Sequence, residues 1–168
     1  LVGDLADIEL LDETEGTGNI IRLLPRKNAL IRPEVANIDQ ALVVFALTKP
    51  VPNFVTLDKI LIQFMCQDIP IILCFNKEDL VSEEEAASVC DIYKNSGCSV
   101  IVTSACEEEG IKELKGLLFG KTTSVAGPSG VGKSSLINCL QKDVRVETGS
   151  ISKKADRGKH TTRHSEII

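Results

Sequence analysis

Residues 127–134 read Gly127-Pro-Ser-Gly-Val-Gly-Lys-Ser134. Three glycines, then Lys-Ser, is the spacing of a loop that cradles phosphate. Gly127, Gly130 and Gly132 let the backbone turn tightly, so that several N–H groups can point at phosphate oxygens. Pro128, Ser129 and Val131 complete the loop, and Ser135 follows it into a helix whose N-terminus adds favourable positive potential. Lys133 can supply a point charge to the outer phosphates, and Ser134 a hydroxyl to Mg²⁺. A chance glycine-rich turn is the alternative. The flanks oppose it, because an apolar strand precedes the loop and a helical pattern follows.

A phosphate loop does not choose a base. Asn76-Lys-Glu-Asp79 can, because it directly follows the apolar run at 70–75. A carboxylate at Asp79 can accept from the ring N–H and the exocyclic amine of guanine together. Adenine offers no such donor pair and would leave a buried carboxylate unpaired. Asn76 would brace the loop and reach the purine edge, with the stem of Lys77 over the ring. Four residues of this kind occur by chance on many surfaces, so position matters. Ser104-Ala105-Cys106 ends the next apolar run, 25 residues past Asp79. A backbone N–H in that turn can donate to the guanine carbonyl while Ser104 steadies it. The last element is Gly158-Lys-His-Thr-Thr-Arg163, 24 residues past Ser134. A threonine there, Thr162 first and Thr161 as the alternative, could place its hydroxyl on Mg²⁺. An exposed polar loop explains the same residues, and His160 and His164 beside them read as exposed loop histidines.

These residues need a frame to hold them. Apolar strands are expected at 41–47, 70–75, 100–103 and 123–126, alternating with helices at 56–67, 111–118 and 133–141. Leu57, Ile60, Leu61, Phe64 and Met65 give the first helix one apolar face. A further helix opens at Ser82, where Glu85 completes a capping box, and closes before Gly97. Strands apolar on both faces imply an α/β fold, a mostly parallel sheet with helices on both sides. The first 35 residues differ. Short strands at 2–11 and 19–24 flank an acidic turn, and a connector at 26–32 lies between Pro25 and Pro33.

Composition narrows the classes. With 43% hydrophobic and 26% charged residues the chain is globular, and no apolar run nears the ~18 residues of a membrane helix. The start has no secretory signal pattern, which points to the cytoplasm, or to an organelle if a transit peptide had been removed. Six cysteines, at 66, 74, 90, 98, 106 and 139, lack zinc-knuckle spacing and favour a reducing compartment over a disulfide framework. Net charge is −5, yet residues 153–163 hold Lys153, Lys154, Arg157, Lys159 and Arg163 against Asp156 alone. That cluster is either a solvated face or a phosphate contact.

Ordinary GTPases place the phosphate loop first, whereas this chain has base-reading motifs, then phosphate loop, then switch threonines. The permuted order, with Leu24-Pro-Arg, Arg32-Pro-Glu-Val-Ala-Asn-Ile-Asp39, residues 127–138 and Gly158-Lys-His-Thr-Thr162, resembles the ribosome-small-subunit-dependent GTPase family (RsgA, also called YjeQ). The resemblance spans essentially the whole chain. It implies the end of an OB-type β barrel and linker over 1–35, and a circularly permuted P-loop GTPase domain over 36–168. It implies GTP/GDP and Mg²⁺ as ligands, and GTP hydrolysis in late maturation of the small ribosomal subunit. Zinc would belong only to a C-terminal domain absent from this chain. The small subunit and its rRNA would be partners of a monomer that meets no membrane, with Arg22, Arg26 and residues 153–163 as candidate RNA contacts.

By position, Lys133, Ser134 and Thr162 would be catalytic, with Ser134 and Thr162 on the metal. Asn76, Lys77, Asp79, Ser104, Ala105 and Cys106 would surround guanine. One departure is clear: no Asp has Gly three residues later, so the Asp-x-x-Gly turn of a GTPase is not in these 168 residues. The expectation is a domain truncated before that turn, with binding intact and turnover impaired. Two other readings stay open, a P-loop kinase or ATPase, and an RNA-docking scaffold with a non-hydrolysing nucleotide site.

Overall fold

Isoleucine and leucine recur through two segments that form a hairpin, β1 (Ala6–Asp12) antiparallel to β2 (Thr17–Leu23). The computed structural model describes residues 1–12, 17–31 and 33–141. It divides into a unit over Leu1–Ile38 and a second that begins at Asp39. In the first unit Ala6 faces Leu23 and Leu10 faces Gly18 across the hairpin. Its apolar side chains are not covered: Ile8, Leu10, Ile20, Ile21 and Leu23 are all more than half exposed. Arg22 forks onto Asp7 through Nε (3.1 Å) and Nη2 (2.6 Å), and Arg26 onto Asp4 (2.7 and 2.8 Å). The Arg26 guanidinium holds the Asp4 carboxyl well below the usual carboxylate range.

The connector expected at 26–32 contains structure. β3 (Ala29–Ile31) pairs antiparallel with β4 (Glu34–Ala36), Leu30 facing Val35. Three-residue strands carry too little alternation to show in a sequence. Asn28 closes this unit, accepting from the Ile38 N–H (3.0 Å) and donating to the Ile38 carbonyl (2.8 Å).

The second unit is a parallel sheet. β5 (Gln40–Ala46) and β6 (Ile71–Asn76) are buried at every residue, as a strand covered on both faces must be. β7 (Ser99–Thr103) and β8 (Thr123–Ala126) complete the order β7-β6-β5-β8, with Val43 beside Leu73 and Ala126, and Asn76 beside Thr103. Between strands lie α1 (Phe54–Met65), α2 (Glu83–Tyr93) and α3 (Ile111–Leu118), and α4 (Lys133–Gln141) follows β8.

The two faces separate by residue parity. Leu42, Val44, Ala46, Ile72 and Cys74 pack with Leu114 of α3 and Leu136 of α4. On the other face Phe75 lies 5.9 Å from the Tyr93 ring of α2, which in turn lies 6.2 Å from Phe54 of α1. The Tyr93 hydroxyl donates to Asp58 (2.9 Å), tying α2 to α1. Burial, with the Asp58 carboxylate beside it, raises the Tyr93 pKa.

Helix boundaries depart modestly from expectation. α1 starts two residues early because Asn53 accepts from the Thr56 N–H (3.0 Å) and caps it. Its buried stripe is Leu57, Leu61 and Phe64, while Met65 is 39% exposed. The capping box of α2 forms in both directions, Glu85 N–H to Ser82 Oγ (3.3 Å) and Ser82 N–H to Glu85 Oε2 (3.0 Å). That helix ends at Tyr93, ahead of Gly97.

Candidate nucleotide site

β8 runs straight into the glycine-rich loop, and α4 begins at Lys133. Gly127 (φ +142°) and Gly132 (φ +98°) hold backbone that L side chains rarely adopt. A Cβ on Gly127 would stand 2.1 Å from the Val44 carbonyl oxygen, and one on Gly132 2.2 Å from Asn76 Nδ2. At these two glycines the loop therefore lies against β5 and β6 too closely for a side chain. Lys133 Nζ donates to the carbonyls of Gly127 (2.9 Å) and Pro128 (2.6 Å). Burial lowers its pKa. An ammonium whose partners are neutral carbonyls inside its own loop gains strongly from an incoming phosphate. Ser134 and Ser135 lie in the first turn of α4, where a hydroxyl can reach a phosphate-bound cation.

Asn76 is 1% exposed and joins three segments. Its Nδ2 donates to the Val131 carbonyl of the glycine loop (2.9 Å). Its Oδ1 accepts from the Ala105 N–H (3.2 Å) and from Thr103 Oγ1 (3.2 Å). Thr103 has one hydroxyl proton and spends it on Asn76, so the 3.2 Å contact with Cys74 Sγ must run from thiol to hydroxyl. Burial raises the Cys74 pKa to about 11, which keeps that thiol a donor.

Lys77 stands in the left-handed region (φ +70°). Its ammonium donates to the carbonyls of Gly130 (2.8 Å) and Lys49, so it clamps the glycine loop rather than ranging freely. Ser104 Oγ donates to Asp79 Oδ1 (2.6 Å) and accepts from the Glu107 N–H (3.1 Å). Asp79 is an exposed residue, which differs from the buried carboxylate expected; the strand ends at Asn76, and a short 3-10 turn (Glu78–Leu80) lifts Asp79 off the sheet. Its cost of going unpaired would arise only when a base covers it.

Three motifs far apart in sequence thus meet through side-chain hydrogen bonds. Thr161, Thr162, His160 and the basic residues 153–163 lie outside the described residues. Sequence reasoning did not find Thr103, Cys74, the Lys49 carbonyl or Cys139, whose Sγ donates to the Ala105 carbonyl (3.4 Å). Thr103, next to Ser104, was the one with a signal. All six cysteines are free, and no group of three or more metal-ligating side chains occurs among the described residues.

A parallel sheet feeding a glycine loop at β8, with the base-side motifs placed earlier in the chain, defines a circularly permuted P-loop GTPase fold. The chain belongs to the RsgA GTPase family, whose model matches residues 23–168. A protein of Agathobacter rectalis named small ribosomal subunit biogenesis GTPase RsgA is 58% identical over all of this chain and 56% of its own length. A protein of the same name from Caldanaerobacter subterraneus is 47% identical, again over the whole chain and 56% of that protein. The chain therefore spans about half the length of these relatives. The crystal structure of YjeQ from Thermotoga maritima matches with a TM-score of 0.75 and 36% identity, over 84% of this chain and 51% of that one. YloQ, described as a circularly permuted GTPase, gives 0.68 and 34%, over 82% and 49%.

Proposed function

We propose that the protein binds guanine nucleotide with Mg²⁺, hydrolyses GTP to GDP and phosphate, and acts in late maturation of the small ribosomal subunit. The observation that carries this reading is Asn76, buried and bonded at once to the phosphate loop and to the turn at Ala105. That linkage supports a single pocket with a phosphate end and a base end. Asp79 would accept the two guanine donors, and the N–H at Cys106 would face the base carbonyl, since the Ala105 N–H is held by Asn76 Oδ1. Lys133 would leave its loop carbonyls for the outer phosphates, and the loop N–H groups would hold the rest. Ser134, with Thr162, would hold Mg²⁺, which neutralises charge on the phosphates. The protein's contribution to phosphoryl transfer is then positioning and charge stabilisation.

The names of the relatives and the basic run at 153–163 support the small subunit and its rRNA as partners. Arg22 and Arg26 are weaker candidates, since each is paired with an aspartate. The first unit is read as the end of an OB-type barrel over residues 1–35. Its hairpin leaves apolar side chains exposed, and two strands alone are marginal in water. A cytoplasmic monomer fits these partners; no helix among the described residues is long and apolar enough to cross a membrane.

The test is phosphate release from GTP by the protein alone, with purified small subunits and with purified large subunits. A rise of about tenfold or more with small subunits only is expected, the scale of about 1.4 kcal/mol or more in barrier. No rise, or the same rise with large subunits, would remove the ribosomal part of the proposal.

A further inference from the structure

Helix α4 carries Lys133 and Ser134 in its first turn and Cys139 six residues on from Lys133. Cys139, partly buried, donates through Sγ to the Ala105 carbonyl at 3.4 Å. That oxygen shares a planar peptide unit with the Cys106 N–H, and the unit is trans. Anchoring the oxygen on α4 therefore turns the Cys106 N–H to the opposite side. The neighbouring units of the turn are fixed otherwise. The Ala105 N–H donates to Asn76 Oδ1 (3.2 Å), the Ser104 N–H to the Glu109 carbonyl (3.1 Å), and the Glu107 N–H to Ser104 Oγ (3.1 Å). What Cys139 adds is the plane of the one unit between them.

We propose that Cys139 is a specificity-determining positioning residue, whose thiol aims the Cys106 N–H at the 6-carbonyl of guanine. It ties base reading to the helix that begins at the phosphate lysine. The proposal deepens the guanine reading and rests on it. No motif marks Cys139, and its role follows only from the packing of α4 against the turn.

Affinities for GDP and 6-thio-GDP, measured for the wild type, Cys139→Ala and Cys139→Ser alongside Tm, test it. The thio analogue keeps the ring N–H and the 2-amino group that Asp79 would bind, and weakens only the acceptor at position 6. The wild type is expected to prefer GDP. Cys139→Ala should lower GDP affinity about threefold to fivefold, the scale of one modest hydrogen bond, with 6-thio-GDP changing less than about twofold. Cys139→Ser, which keeps a donor, should restore the preference. Two results overturn the proposal: an unchanged preference in Cys139→Ala, or equal loss of both ligands without rescue by serine, which would mean loosened packing alone. Asp79→Asn in the same assay separates the failures. If it exchanges guanine for xanthine while Cys139→Ala does nothing, only Cys139 is misassigned; if it does nothing either, the guanine reading fails with it.

Discussion

Asp79→Asn is expected to exchange the preferred base, with GDP affinity falling about 10²–10³-fold and xanthosine diphosphate overtaking it, the scale of a broken hydrogen-bonded charge pair. Guanine presents two donors on one edge, and a carboxylate accepts both. The amide of the variant offers one acceptor and one donor group, which meets a C2 carbonyl instead of a C2 amine. Ser104 can still donate to the side-chain oxygen at that position, as it does to Asp79 at 2.6 Å, so the turn should survive the change. Calorimetric titration with the two diphosphates reads the exchange. A variant that kept its guanine preference would show that Asp79 does not touch the base.

Lys133→Met should cost about a hundredfold or more in affinity for both GDP and GTP, roughly 3 kcal/mol, the value of a charge-assisted contact in a half-desolvated site. Its effect on the free protein should be small or slightly stabilising. The wild-type ammonium has only the carbonyls of Gly127 and Pro128 as its described hydrogen-bond partners, and burial disfavours its charge. Methionine fills the same channel without that cost. Tm of the free protein and a nucleotide titration, measured together, distinguish this from misfolding. Loss of affinity with a large drop in Tm would mean that Lys133 holds the loop together rather than the phosphate.

Motifs that lie in a run of neighbours were legible because short-range geometry defines them. Residues 127–134 needed only their own spacing and flanks, and Asn76 to Asp79 only the strand before them. The parallel sheet was legible from β5 and β6, whose unbroken apolar runs admit no solvent face. What was hidden depends on register between distant strands. Thr103 stands beside Asn76 only because β7 pairs with β6 at that rung, and nothing in either segment announces it. Cys139 meets Ala105 only because α4 packs on the same face as the turn. The same holds for charge. Arg22 and Arg26 stand as candidate RNA contacts in sequence, yet hairpin pairing and the path of the N-terminal segment bring Asp7 and Asp4 onto them.

A titration with fluorescent GDP at fixed Mg²⁺, competed by unlabelled GDP, GTP and ADP, tests the central claim most directly. Displacement by GDP and GTP at comparable concentrations, with ADP weaker by about a hundredfold or more, is the predicted result. Equal displacement by ADP would mean that the loop at Asn76–Asp79 does not read guanine, and the site would be that of a P-loop protein without base selectivity.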